Sequence, residues 1–292
     1  MIYGEELSSL IDAPVQMLDR VDYTEEGASG IRMITANEQV FQGHFPETPV
    51  LPGVLQVAAM AQISKLCWLK ENPGVQPYLA ELSRVKFRTP VTPGAILKVE
   101  CTIASREDGK MAFQVKNHIN GDVASSGNLV LARRPQNWLE PLPAGEVPEG
   151  EVISADEIKK HIPHRYPFML VDGAYGTGDI NPENGLMELK GFKNVTCMDP
   201  LVKYCFPGYL QVEAGAQLGC LGLLSKPENK GKLGFFMSID EAHFYHGVTP
   251  GDRLDLAISI EPRGRFGIAT GTMCVGPAKV GDAIIKFAIV EP

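Results

Sequence analysis

The chain has 292 residues, 44% of them apolar and 21% charged, with a formal net charge of −8. That length suits two domains each able to bury its own core, and the composition excludes disorder on any large scale. The acidic excess argues against a nucleic-acid binder, no apolar run reaches the roughly 18 to 20 residues of a membrane span, and Met1–Glu6 lacks the start of a secretory signal, so a cytoplasmic protein is expected.

In chain order, the first distinctive phrase is Gly43-His44-Phe45-Pro46. Pro52-Gly53 then opens a predicted helix, with Val54, Leu55, Val57, Ala58 and Ala61 at helical spacing and an end near Trp68. Arg84, Lys86 and Arg88 alternate along the next strand, which places all three on one face. Leu97, Val99, Cys101 and Ile103 alternate up to Asp108-Gly109, and Phe113 and Val115 lead to Asn120-Gly121. Both dipeptides between alternating segments signal hairpins.

Residues 133–151 carry four prolines, which deny a helix or central strand and predict a stiff extended connection. The expected division is a first domain over 1–134, a linker over 135–150 and a second domain over 151–292. The second domain opens with Ser154 and Glu157, the pattern of a helix-starting capping box. A second helix is predicted from Pro207-Gly208 to about Leu224, and the stretch Ala242–His246 that corresponds to the basic strand lacks its charge. One long helix on an antiparallel sheet, twice, is an α+β architecture.

Leu55–Gln62 recurs as Leu210–Gln217 without a gap, and the copies have lost complementary residues. Glu213 stands where the first copy has Ala58. Upstream, His44 in Gly-His-Phe-Pro matches Cys205 in Tyr-Cys-Phe-Pro. One half keeps a histidine and the other a carboxylate, which places the working site between the halves.

No metal site is expected. The six cysteines show no Cys-x-x-Cys pair and read as reduced thiols. His161-x-x-His164 and His243-x-x-His246 have metal-pair spacing, but the second falls in a strand, where residues three apart face opposite sides.

Gly43–Pro46, Leu51-Pro52-Gly53-Val54-Leu55 and Ala59–Gln62, with Pro163–Phe168, Leu170-Val171-Asp172, Asn194-Val195-Thr196, Glu213-Ala214 and Pro250-Gly251-Asp252, resemble the 3-hydroxyacyl-(acyl carrier protein) dehydratases of type II fatty acid synthesis. The resemblance covers nearly the whole chain. It implies two hotdog domains forming a pseudo-dimer within one chain, and a site that takes a histidine from one domain and a glutamate from the other's central helix. It also implies an acyl carrier protein partner bearing a phosphopantetheine-linked substrate. Ala58 occupies the position of the family's glutamate in the first domain, so His44 must look across to Glu213, and the opposite pairing of Cys205 with Ala58 is expected to be inactive. Pro163–Phe168 carries no assigned chemistry and is read as structural.

Removing water from a 3-hydroxyacyl thioester needs a base at C2 and an acid for the departing C3 hydroxyl, and no cofactor. Neutral imidazole at His44 suits the base. Glu213, on an apolar helix, is expected to be held protonated by burial and to serve as the acid. The resemblance and the free amide at a helix start both point to Gly53 as the donor to the thioester carbonyl. Arg84, Lys86 and Arg88 form a candidate docking patch for an acidic carrier protein. A hotdog thioesterase and a catalytically silent acyl-binding or scaffold module are the alternatives; His44 and the Pro-Gly phrase argue against the first. One chain is the minimal functional unit, free to pair further.

Overall fold

The computed structural model describes residues 1–146, 149–176, 178, 180–229 and 231–291. The first half contains β1 (Ile2–Tyr3), α1 (Gly4–Ile11), β2 (Arg20–Tyr23), β3 (Gly27–Met33), α2 (Gly53–Glu71), β4 (Pro77–Phe87), β5 (Ile96–Glu107), β6 (Lys110–Ile119) and β7 (Asp122–Arg133). The second contains β8 (Ile153–Ser154), α3 (Ala155–Ile158), β9 (Gly173–Tyr175), β10 (Met187–Asn194), α4 (Gly208–Leu224), β11 (Leu233–Phe244), β12 (Arg253–Arg263), β13 (Phe266–Val275) and β14 (Ala278–Val290).

Among the described residues, all fourteen strands join one antiparallel sheet in the order β1-β2-β3-β5-β6-β7-β4-β11-β14-β13-β12-β10-β9-β8. The order reads the same from either end once each first-half strand is matched to its second-half counterpart. The seam is the pairing of β4 with β11, where Lys86 faces Ser238 and Leu82 faces Ala242. Each half is a hotdog domain, a sheet wrapped around a long helix.

Both helices start where the Pro-Gly pairs predict. Proline is at home there because it has no amide hydrogen to leave unpaired. Leu55, Met60 and Ile63 of α2 are fully buried, as are Leu210, Leu218 and Leu221 of α4. A helix that is apolar nearly all round must be covered on all sides. Matching glutamines pin the two helices. Gln62 accepts from the Met17 amide at 2.7 Å and donates to Val15 O at 2.7 Å, while Gln217 accepts from the Leu170 amide at 2.8 Å and donates to Phe168 O at 2.9 Å.

The hairpins fall at Asp108-Gly109 and Asn120-Gly121, the latter with φ of 51° and 89°. Two positive φ values in a two-residue loop match the strand twist, and Asn-Gly tolerates them best. Ser154 Oγ accepts from the Glu157 amide at 3.3 Å, the first half of the expected capping box; the Glu157 carboxylate turns to Lys160 instead.

The connection over 135–150 departs from a stiff extended strap. Gln136–Leu139 forms a 3-10 turn, and Trp138 is buried against Tyr78, ring centroids 3.9 Å apart. A large aromatic next to an apolar groove gains more by burial than by staying in solvent. Val147 and Pro148 lie outside the described residues. No helix among those described is long and apolar enough to cross a membrane.

Candidate active site

His44 sits in a turn after the 3-10 segment Gln39–Gln42, with its amide bonded to Val40 O at 2.9 Å and its carbonyl accepting from Val50 N at 3.1 Å. Its Nδ1 lies 2.8 Å from Val50 O. A carbonyl only accepts, so Nδ1 carries the proton and Nε2 presents a lone pair. Phe45 stacks on the ring at 4.1 Å and Phe168 meets it edge-on at 5.5 Å. Burial, followed by the nearby His164 and against the opposing Glu213, lowers the His44 pKa to about 4. The ring is a neutral base at physiological pH.

Glu213 projects from α4 and is 3% exposed. Gln217, one turn on, donates to its Oε1 at 2.9 Å, and the same Nε2 is tied to Phe168 O, so the carboxylate sits against a fixed donor. The imidazole and the carboxylate come from different halves and meet in one cavity.

A second histidine completes the cluster. His164 Nε2 lies 3.5 Å from Glu213 Oε1, its ring centroid is 5.5 Å from that of His44, and it is 4% exposed. The reading of Pro163–Phe168 as purely structural is therefore corrected. The segment also clasps the His44 turn, because the Arg165 amide donates to Gly43 O at 3.1 Å and a Cβ on Gly43 would meet Arg165 O at 2.2 Å. His161, its supposed metal partner, turns instead to Glu157 at 3.7 Å. His243 pairs with Asp282 at 3.1 Å, separate from His246, whose Nδ1 faces Gly247 O.

His164 also corrects the expected state of Glu213. Burial alone raises a carboxyl pKa. Here the hydrogen bond and charge of His164, with His44 and Gln217, outweigh that burial and hold Glu213 below its ordinary value. His44, His164 and Glu213 are also the residues that could hold a metal ion, with one ligand atom each within 4.8 Å of the others.

The cluster opens into a cavity of about 180 Å³, walled by Phe87, Phe235, Phe236, Leu223, Ile285 and Phe287. Gly53 lines it at the start of α2, where the first amides have no intrahelical partner. A Cβ there would come within 3.0 Å of the Phe87 ring. Arg84, Lys86 and Arg88 are all exposed, although a bulge at Arg84, φ 52°, interrupts the regular register. Only Arg88 of the three lines the cavity.

Cys205 lies at the other helix pairing, in a second cavity, while Ala58 is buried in the core. Neither touches the acid–base cluster.

These features define a double-hotdog protein with an imidazole–carboxylate cluster in a cavity between its halves. Residues 22–128 match the model of the ApeI-like dehydratases and residues 162–284 that of the FabA-like domain. The chain is 38% identical over 145 residues to the 3-hydroxyacyl-[acyl-carrier-protein] dehydratase FabZ of Pelotomaculum thermopropionicum, covering 47% of this chain and 99% of that one. It is 39% identical over 147 residues to FabZ of Bacillus subtilis, covering 48% and 100%. The chain belongs to the 3-hydroxyacyl-[acyl-carrier-protein] dehydratase family. Its whole-length fold is similar to the dehydratase domain of the CurJ module of curacin polyketide synthase, with TM-score 0.65, 14% identity, and coverage of 96% and 97%. It is likewise similar to a trans-AT polyketide synthase dehydratase domain from Brevibacillus brevis, with TM-score 0.64, 12% identity, and coverage of 94% and 98%.

Proposed function

We propose that the chain dehydrates a 3-hydroxyacyl thioester, delivered on an acyl carrier protein, to the trans-2-enoyl product at a single site between its halves. One observation carries this reading within the family: His44 of one half and Glu213 of the other line the same interface cavity, their side-chain ligand atoms within 4.8 Å of each other. His44 Nε2 takes the C2 proton. Negative charge grows on the thioester carbonyl and is met by the Gly53 amide, a fixed dipole in an apolar cavity. The leaving hydroxyl takes a proton from the carboxyl form of Glu213, the minor form at rest given its lowered pKa, and departs as water; the C2 proton gained by His44 returns to Glu213 through the adjoining His164, 3.5 Å from the carboxylate. The apolar walls accept the acyl chain.

The division into 1–134, 135–150 and 151–292 is supported by the ends of β7 at Arg133 and the start of β8 at Ile153. The two family-model matches lie on either side of it. Arg88, at the cavity and bonded to Ser126 at 2.9 Å, is the member of the basic strand best placed to meet the phosphate of a carrier-linked arm. Lys86 and Arg84 extend that charge along the surface.

The test is incubation of the chain with 3-hydroxyacyl thioesters on carrier protein and on coenzyme A, scored for both enoyl formation and free thiol. Enoyl product without thiol release is expected. Thiol release would establish a thioesterase, and neither product would leave an acyl-binding module.

A further inference from the structure

The pseudo-twofold axis generates a second cavity, about 210 Å³ against about 180 Å³ for the first. Gly208, Gln211 and Ala61 line it as Gly53, Gln56 and Ala216 line the catalytic one. Interiors pack with few voids, so a site relieved of catalysis would be expected to fill with core side chains. This one has stayed open and changed its charge instead.

Lys65 enters from α2 at the position that Cys220 holds on α4, and its Nζ donates to Ile11 O at 2.7 Å. Arg134 and Lys203 line the same cavity. Asp12 is the one carboxylate among the described lining residues, and Lys203 already takes it at 2.6 Å. Arg134 has no ion pair among the described residues, so the single carboxylate Asp12 faces three cations, in a chain whose net charge is −8. Burial, opposed by Asp12 and aided by Arg134 and Lys203, keeps the Lys65 ammonium below its ordinary pKa.

Tyr78, Leu79, Leu131, Trp138, Leu139 and Phe244 form an apolar and aromatic wall, with His246 beside Trp138, ring centroids 5.9 Å apart. Gln211 adds a buried Oε1 without a partner, whereas its counterpart Gln56 accepts from Ser125 at 2.7 Å. We propose that this second cavity binds, without turning over, an amphiphilic anion: a carboxylate or phosphate head held by Lys65 and Arg134, with an apolar chain against Trp138 and Leu131. The inference stands on this cavity alone and does not need the dehydratase reading.

Trp138 is one of two tryptophans, and the other, Trp68, lies in the core of the first half, so fluorescence reports on the site. The full chain is titrated with dodecanoate, dodecyl phosphate, inorganic phosphate and neutral dodecanol. Saturable changes with one or both amphiphilic anions are expected, and their ratio identifies the head group. Lys65→Met and Arg134→Gln should each weaken binding by about tenfold or more, the usual loss for a hydrogen bond to a charged group. Trp138→Phe should remove the signal, and binding should persist in His44→Ala, which touches only the catalytic cavity. Dodecanol binding as tightly as the anions, or affinity unchanged in Arg134→Gln, an exposed substitution that spares the core, would overturn the proposal. So would dodecanoate binding that is abolished by His44→Ala. Failure of the dehydratase reading would appear only in the turnover assay.

Discussion

The two interface cavities occupy equivalent places, are of similar size and keep the same helix-start glycine and helix-pinning glutamine, yet their balance of charge differs. The first concentrates two imidazoles and a carboxylate among phenylalanines. The second holds Cys205 near the histidine position, Asp12 on the counterpart of the His164 loop, and a set of cations. The comparison separates what the fold supplies from what the chemistry needs. A pocket, a free amide at a helix start and a pinned glutamine come with two hotdog domains. The proton-transfer groups must be added, and in a fused chain each half is free to lose the residue that serves only the other pocket.

The largest effect should follow from removing the base. His44→Ala is expected to lower kcat by about 10² to 10⁴, the range for loss of a positioned proton-transfer group, with little change in KM. Glu213→Gln keeps the shape and the Gln217 contact but cannot donate a carboxyl proton, and should cost about 10² or more. Retention of near-normal turnover in either would move the chemistry away from the first cavity.

His164→Ala sharpens the comparison through pH. The base must be unprotonated, so the acid limb of kcat/KM for the wild type should lie near pH 4, where His44 takes up a proton. His164 contributes to lowering that pKa, so its removal should move the acid limb to higher pH, as well as reducing kcat. A limb that stays in place while kcat falls would mean His164 serves packing alone. Gly53→Ala places a methyl 3.0 Å from the Phe87 ring without removing the amide, so a loss on the order of tenfold is expected, carried by displacement of the carbonyl from its donor. Cys205→Ala is expected to leave turnover unchanged.

Much of this architecture was legible in the chain. Helix starts at Pro52-Gly53 and Pro207-Gly208, and hairpins at Asp108-Gly109 and Asn120-Gly121, follow from local backbone preferences. His44 and Glu213 were legible because the repeat supplied an internal control, each half showing what the other lacked. His164 was not. It lies 213 − 164 = 49 residues from Glu213 in sequence, on a segment whose backbone bond to Gly43 gives it a sufficient structural purpose, and only the tertiary geometry reveals its ring against the carboxylate. The charge state of Glu213 was hidden for the same reason, since burial and a buried donor push its proton equilibrium in opposite directions. The charged second cavity was illegible because Lys65, Arg134 and Lys203 come from α2, the end of β7 and the loop before α4, with no shared pattern.

The most direct measurement is the rate of enoyl formation from a 3-hydroxyacyl thioester by the wild type, His44→Ala, Glu213→Gln and Cys205→Ala, with folding of each checked by circular dichroism. A single cross-half site predicts collapse of the rate in the first two variants and none in Cys205→Ala. An equal loss in Cys205→Ala, or substantial turnover in folded His44→Ala, would contradict it.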